Sequence, residues 1–321
     1  MTPGVGGSYS LFLGVTGGTS STGLVVSTGG TIAAAGASAR CDGSGKCTCI
    51  RIAELGNTGT FGAVQGAPGS TALQQWLNTK STASVDVFAQ RTMLTPELLA
   101  NYDILILQDL TNVIAYGAPS DLWTFSATEV AAVSDWVQTK GGAIVTMTGY
   151  FSDAAFEITP TNQLIAFSGI SYNADDIINT SDCSDGLCFC YNNAIPITSW
   201  VTTHPIGNHI KAVGAFRGRS LNAPSSAAVV AKFGNSNVGV AAQVGQGRVF
   251  AFGDEWVSYT SQWNDSSLSQ PAVNYDDPYN PCYGKKPSQA FQISQFWFNV
   301  IDWLQPSKAS CFQLNEAAVV P

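Results

Sequence analysis

The chain has 321 residues, a formal net charge of −8, and charged side chains at only 11% of its positions against 45% hydrophobic residues. That many apolar residues excludes intrinsic disorder of the charged, apolar-poor kind. The acidic balance, without clusters of Lys and Arg, argues against nucleic acid and anionic membranes as main partners.

Residues 1–40 are rich in Gly, Ser, Thr and Ala and carry almost no charge. This composition predicts a linker or stalk that is flexible or weakly docked. No stretch reaches the roughly 18 consecutive apolar residues of a membrane-spanning helix, so no membrane span is predicted. Residues 41–321 are predicted to form a single α/β domain.

Strand and helix patterns alternate between residues 47 and 147. The predicted elements are a strand at 48–55, a helix capped by Ser70, a strand at 85–89, a helix starting at Thr95, a strand at 103–109, a helix from Ser126 and a strand at 143–147. The 103–109 strand (DILILQD) is apolar on both faces, which is typical of a central parallel strand. Ser126 and Glu129 have the spacing of a capping box. The alternation predicts a doubly wound, mostly parallel sheet.

The C-terminal half continues with predicted strands at 227–232, 238–244 and 248–252, and a final helix from about 287 to 304. Two segments, 170–225 and 255–287, lack clean periodicity and contain four of the cysteines. We therefore expect them to be disulfide-tied insertions over the sheet.

The cysteine count is even, as expected for disulfides: Cys41, Cys47, Cys49, Cys183, Cys188, Cys190, Cys282 and Cys311. Low Lys content with abundant Gly, Ser, Thr and Asn adds to the expectation of a secreted or cell-surface protein. The pairing stays open. A structural zinc site is the alternative, although neither C-x-C pair has the usual spacing of zinc ligands.

Several segments together resemble the class I glutamine amidotransferase-like fold, in its secreted, non-amidotransferase branch that includes trehalose-utilisation-type domains. The segments are YDILILQDL (102–110), DWVQTKGGAIVTMTGY (135–150), THPIG (203–207), GQGRVFAFGDEW (245–256) and FWFNVIDWL (296–304). The resemblance implies a flavodoxin-like sheet. Amidotransferases place a nucleophilic Cys after the strand that here ends in TMTGY. This segment contains no Cys, so the resemblance does not extend to glutaminase chemistry.

In such sheets, ligands bind beyond the carboxyl ends of the strands. The polar and aromatic residues predicted there are Asn57, Gln108, Asp109, Thr148, Tyr150, Asp254, Glu255 and Trp256. Asp109, Asp254 and Glu255 are the catalytic candidates for acid/base hydrolysis, and the others are candidates for ligand binding. The alternative for Asp109 and Asp254 is that they cap turns or helix starts.

Two further places carry candidate ligands. His204, in THPIGNH, is a candidate ligand-binding residue, with a turn hydrogen bond ahead of Pro205 as the alternative. Asp276 and Asp277 lie in an oxygen-rich loop that could supply calcium ligands, although the EF-hand spacing is missing. No other cofactor is predicted.

Three functional hypotheses remain. The first is a secreted, non-catalytic domain that binds a carbohydrate or a surface partner at the strand ends. The second is an extracytoplasmic, glycan-directed hydrolase that uses carboxylates of the same cleft. The third is a structural surface or matrix protein.

Overall fold

The computed structural model describes residues 40–41, 47–56, 69–112, 119–148, 154–179, 195–215, 217–260, 278–279 and 291–306. The predicted linker at 1–40 lies outside them except for Arg40. The strands are β1 (Arg40–Cys41), β2 (Cys47–Thr48), β3 (Ile50–Leu55), β4 (Ala83–Phe88), β5 (Ile104–Leu107), β6 (Ala143–Met147), β7 (Ser171–Tyr172), β8 (Ile178–Asn179), β9 (Ile195–Ile197), β10 (Ser199–Trp200), β11 (Val213–Ala215), β12 (Arg217–Gly218), β13 (Leu221–Asn222), β14 (Ala228–Phe233), β15 (Ser236–Val244) and β16 (Gly247–Phe252). The α-helices are α1 (Thr71–Lys80), α2 (Pro96–Leu99), α3 (Ala127–Lys140), α4 (Ala154–Glu157), α5 (Thr159–Ile165) and α6 (Ile293–Leu304).

An eight-stranded mixed sheet in the order β10-β14-β15-β16-β6-β5-β3-β4 forms the centre of the fold. The five strands from β16 to β4 are parallel, whereas β15, β14 and β10 continue the sheet antiparallel. Numbered along the chain, the parallel strands have the flavodoxin-like order 2-1-3-4-5. Winding therefore reverses between β3 and β5, where such folds open a crevice for ligands.

Local sequence explains these elements. All four residues of β5 are buried, because alternate side chains enter the two opposite faces of the sheet. The capping box predicted at Ser126 and Glu129 is present at the start of α3. This helix ends at Gly141, whose φ of +80° is left-handed and suits glycine.

Helices cover both faces of the sheet. On one face, α1 and α6 contribute Leu77 and Trp297 to a core with Ile106 and Phe252. On the other face, α2, α3 and α5 bury residues such as Val133 against the opposite sides of β5 and β6. The predicted α/β architecture is therefore confirmed, as a large mixed sheet with helices on both faces.

Six short strands between residues 171 and 222 pair with one another outside the central sheet, and we call these six strands and the described residues between β12 and β13 the β-arm. Its strands pair in nested order, β7 with β13, β8 with β12 and β9 with β11, so the chain runs out and returns along itself. The backbone amide of Arg219 donates to the carbonyl oxygen of Gly253 at 2.8 Å. The arm is thus anchored directly beyond the end of β16, beside Asp254 and Glu255.

Candidate functional site

The carboxyl ends of the parallel strands bring several predicted site residues together. Asp109 follows β5, Thr148 follows β6, and Glu255 follows β16. All three line a small cavity of about 10 Å³, which has room for about one water-sized group. Its lining consists of Asp109, Leu110, Leu122, Met147, Thr148, Glu157, Thr161 and Glu255.

A hydrogen-bonded pair of carboxyl groups dominates this cavity. The side-chain carboxyl groups of Asp109 and Glu255 are hydrogen-bonded to each other. The hydroxyl of Tyr259 contacts both, with its oxygen 3.2 Å from Oδ2 of Asp109. Since an ionised carboxylate has no proton to donate, the direct bond requires one carboxyl to be protonated.

The environment favours that shared proton. Burial raises the pKa of Asp109 to about 7, with the charge of Glu157 adding to it, against the lowering effect of the bonds to Glu255 and Tyr259. Burial, and next the charges of Asp109 and Glu157, hold the pKa of Glu255 well above its usual range. The pair therefore carries a proton close to neutral pH.

Asp109 is also unusual in its backbone, whose φ is +44°. Aspartate adopts this left-handed region more readily than most residues other than glycine. The conformation occurs directly after β5, where the chain turns away from the sheet edge. Strained backbone of this kind concentrates at functional sites.

A buried ion pair lies beside the carboxyl pair. Nη2 and Nε of Arg219 donate to Oε2 of Glu157 at 2.6 and 3.1 Å. Nη1 of Arg219 donates to the carbonyl oxygen of Asp175 at 2.6 Å and lies 3.3 Å from Oδ1 of Asp176. Since Arg219 is fully buried, its charge is committed to these acceptors, which leaves the Asp109–Glu255 pair to be neutralised by its proton.

Asp254 and Trp256 stabilise the turn that follows β16. Oδ1 of Asp254 accepts a hydrogen bond from the backbone amide of Trp256 at 2.6 Å, which stabilises the turn after β16. The Trp256 ring packs edge-on against Tyr259, with 5.3 Å between centroids. Both residues therefore shape the turn that presents Glu255 and Tyr259.

Gln108 belongs to a second buried polar group at the reversal point. Its Nε2 donates to Oε1 of Glu54 at 2.6 Å, and Ser70 and Gln74 also donate to this carboxyl group. Burial raises the pKa of Glu54, against the lowering effect of these bonds. Within the described part of the chain, Oε1 of Gln108 is buried without a partner.

His204 lies away from the cavity. Its Nδ1 accepts from the backbone amide of Ile206 at 3.2 Å, and its ring packs on Trp303 in α6. Trp303 in turn stacks under Arg248, at the start of β16 rather than its end. The turn hydrogen bond weighed for His204 is thus present.

Four other candidates, Asn57, Tyr150, Asp276 and Asp277, lie outside the described residues. Among the residues that the structure does describe, no group of three or more His, Cys, Asp or Glu side chains could hold a metal ion. In the same residues, no helix is long and apolar enough to cross a membrane.

Sequence reasoning missed Glu157, Arg219 and Tyr259. Glu157 ends the four-residue helix α4, and Arg219 lies between two-residue strands of the β-arm. Neither segment has a periodicity that would place it beside the strand ends. One sequence feature could have drawn attention to Arg219. The chain has only 14 Lys and Arg residues, and Arg219 is one of these few cations.

The geometry limits the chemistry. Retaining and inverting glycosidases hold their carboxyl groups about 5–5.5 Å and 6.5–9.5 Å apart, respectively, whereas Asp109 and Glu255 are in direct hydrogen-bond contact. The arrangement can accept hydrogen bonds, share a proton and exchange it with a ligand.

Solved structures establish the fold class independently. Cytoplasmic Protein STM1381 from Salmonella typhimurium LT2 matches with a TM-score of 0.50 and 15% identity, over 80% of this chain and 100% of that one. Cytoplasmic Protein STM3548 from Salmonella typhimurium matches with a TM-score of 0.51 and 12% identity over the same shares of the two chains. At these identities the likeness shows the fold alone.

A ThuA-like protein from Bacteroides uniformis ATCC 8492 is also similar, with 9% identity and a TM-score of 0.38, over 64% of this chain and 82% of that one. So loose a superposition carries no argument about function. The sequence matches no protein-family profile and no curated protein. The chain is thus an α/β protein that shares the fold of the two Salmonella proteins.

Proposed function

We propose that this chain is an extracytoplasmic, non-catalytic protein of the amidotransferase-like class that binds a carbohydrate at the strand-end cavity. The observation that carries the proposal is the cavity lining: three carboxyl groups and two threonine hydroxyls beside Leu110, Leu122 and Met147. Such a lining offers hydrogen-bond acceptors for a polar substituent of a sugar that reaches into the cavity.

Binding is favoured over hydrolysis by the separation of the carboxyl groups. Asp109 and Glu255 bond to each other, which leaves no room between them for a glycosidic bond or an attacking water. Asp254 is engaged with the backbone amide of Trp256. None of the three catalytic candidates is therefore positioned as one of a flanking pair.

A glycan-directed hydrolase is the second candidate, and one observation favours it. Burial raises the pKa of Asp109 to about 7, which is the range in which a general acid or base works best near neutral pH. This role would require ligand binding to separate Asp109 from Glu255.

An extracytoplasmic location is supported by the cysteines. Cys49 is buried and disulfide-bonded, and disulfides persist mainly in oxidising compartments. We propose that the remaining cysteines tie the insertions in the same way. The location named for the two Salmonella proteins does not transfer at their low identity. Calcium binding by Asp276 and Asp277 stays a prediction.

Titration calorimetry against neutral oligosaccharides, combined with NMR of the same mixtures, tests the proposal. We expect saturable binding with no new reducing ends. Glu255→Gln should weaken binding about tenfold or more, since it changes acceptors inside the cavity. The control Asp135→Asn, on the exposed face of α3, should bind like the wild type. Slow cleavage would favour the hydrolase, and absence of both binding and cleavage would contradict both.

Mass analysis under non-reducing conditions tests the location. Each disulfide lowers the mass by about two daltons and protects two thiols from alkylation. We expect few or no alkylatable thiols in the native protein. Eight reactive thiols would contradict an oxidising compartment.

A further inference from the structure

We propose that the ligand presents a protonated primary amine to this cavity, so that among carbohydrates the site selects an amino sugar over its neutral or acetylated counterparts. The inference rests on the proposed function and narrows its ligand class. It depends on the charges of the cavity, on its unpartnered hydroxyls and on the proton that the ligand would displace.

The charges around the cavity are unbalanced. Three carboxyl groups line it, and the nearby cation, Arg219, is bonded to Glu157 and to the β-arm. The Asp109–Glu255 pair lacks a cation among the described residues. An ammonium group entering the cavity would supply the missing positive charge, and charge-assisted hydrogen bonds to carboxylates are about twice as strong as neutral ones.

Two hydroxyls in the lining are available to a ligand. Thr148 and Thr161 are only 4% and 3% exposed, and both line the cavity. Neither hydroxyl forms a hydrogen bond to a described residue. Buried polar groups normally have partners, so these oxygens are suited to accept from a ligand. An ammonium group has three donors and no acceptor, which matches two carboxyl groups and a hydroxyl.

The proton of the carboxyl pair gives the exchange a measurable signature. The ionisable groups that face the pair come from several elements and are Glu157 of α4, Tyr172 of β7, Arg219 of the β-arm, and Asp254 and Tyr259 after β16. Only Arg219 among them is a cation. When an ammonium group binds, the positive charge no longer has to come from the proton, so about one proton should leave per ligand bound.

Size and long-range charge agree with this ligand. The cavity volume of about 10 Å³ has room for about one water-sized group. An ammonium group that projects from a sugar would therefore enter the cavity, while the sugar ring stays outside it. The net charge of −8 favours approach of a cationic ligand over an acidic one.

The test compares two probes that differ only in acetylation: the tetramer of glucosamine and the tetramer of N-acetylglucosamine. Calorimetry at pH 6.5 in two buffers of different ionisation enthalpy gives both the affinity and the number of protons released. We expect the glucosamine tetramer to bind about tenfold tighter or better, as charge-assisted bonds imply, with release of about one proton.

Variants locate the contact. Thr148→Val keeps a β-branched side chain of similar volume and should weaken the amine probe more than the acetylated one. Glu255→Gln should abolish proton release, and Asp135→Asn should change neither probe. Equal affinity for the two probes, or amine binding without proton release, would overturn this inference while leaving the carbohydrate proposal intact. Absence of binding by both probes and by neutral sugars would instead remove the carbohydrate proposal itself.

Discussion

The hydroxyl of Tyr259 donates to Oδ2 of Asp109 at 3.2 Å although 150 residues separate them in the sequence. The same hydroxyl contacts Oε1 of Glu255. Because a phenol has a single proton, it can donate to one carboxyl only while it accepts from the other. This contact joins the ends of β5 and β16 and holds the proton-sharing pair in place.

Tyr259→Phe should reduce the free energy of unfolding by about 1–3 kcal/mol, because it leaves buried carboxyl oxygens without a donor. Urea unfolding at pH 6 measures the change. The matched control is Tyr279→Phe at a side chain that is 95% exposed, where we expect a change within about 0.5 kcal/mol. Equal losses in the two variants would mean that the phenol of Tyr259 is not a partner of the pair.

The free energy of unfolding should fall as the pH rises from about 4 to 7 and above. The native pKa of Asp109 is about 7, raised by burial from an ordinary value of 3.8, so the native state holds a proton that the unfolded chain has released. This contribution is complete below the ordinary pKa and is lost as the pH passes the raised one. Each pH unit of this window is worth about 1.4 kcal/mol, and Glu255, whose pKa is also raised by burial, adds to the loss.

The double variant Asp109→Asn/Glu255→Gln isolates this effect, since asparagine tolerates the left-handed backbone of position 109. Its unfolding free energy should fall less steeply than that of the wild type between about pH 5 and 8, because the proton-sharing pair is gone while Glu54 keeps its raised pKa. Asp135→Asn should keep the wild-type slope. A wild-type protein with no downward slope in this range would show that the pair is ionised at low pH.

Glu129 should have the opposite effect at acidic pH, where the free energy of unfolding should fall as the pH decreases. Although burial acts to raise it, hydrogen bonds from Ser126, Arg91 and Leu94 lower the pKa of Glu129 to about 2. Its stabilisation is present above the ordinary pKa of 4.5 and is lost as the pH falls toward 2. Glu129→Gln should reduce the unfolding free energy by about 1–3 kcal/mol at neutral pH, and much of the loss at acidic pH should vanish. An unchanged loss at acidic pH would contradict this assignment.

Replacing Arg219 alone should reduce the free energy of unfolding more than replacing Arg219 and Glu157 together. Arg219→Met leaves the buried carboxylate of Glu157 without its arginine beside the carboxyl pair, at an expected cost of about 3–5 kcal/mol in the free energy of unfolding. In Arg219→Met/Glu157→Gln the loss should be clearly smaller. Denaturant unfolding of both single variants and the double variant gives the coupling energy. Additive losses would mean that the two side chains act independently.

Gly56→Ala should destabilise the protein far more than Gly234→Ala. Both glycines have a positive φ, +131° and +56°, but a Cβ at position 56 would lie 1.4 Å from the carbonyl oxygen of Gln108, whereas position 234 has nothing within 4 Å. Gly234→Ala should cost about 1–2 kcal/mol from backbone strain alone. Thermal unfolding compares the two variants. Equal losses of stability would show that the carboxyl ends of β3 and β5 can move apart to make room for the added methyl group.

Much of the fold could be predicted from the sequence because local patterns decide it. The strand at 103–109 becomes β5, and the capping box of Ser126 and Glu129 begins α3 as expected. The limits of each apolar run also indicate which residues end each strand. For that reason Asp109, Thr148 and Glu255 could be expected at one edge of the sheet.

The rest of the site depends on tertiary contacts that no local pattern records. Arg219 reaches Glu157 because a β-arm of two- and three-residue strands folds back over the sheet end. Gln108 was expected beside Asp109 at the strand ends, but its side-chain amide donates to Glu54 on the face covered by α1. Which of several polar residues at a strand end enters the cavity is decided by the face its side chain occupies.

The most direct test of the account is a titration of the carboxyl carbons of Asp109 and Glu255 by ¹³C NMR, with Asp109→Asn and Glu255→Gln supplying the assignments. We predict that the two groups titrate as a coupled pair, with one transition near pH 7 and the other well above the ordinary pKa of a glutamate, as their shared burial demands. If both carboxyl groups instead titrate near pH 4, the pair is ionised at neutral pH. The proton-sharing centre, and the exchange of its proton for an amine, would then be wrong.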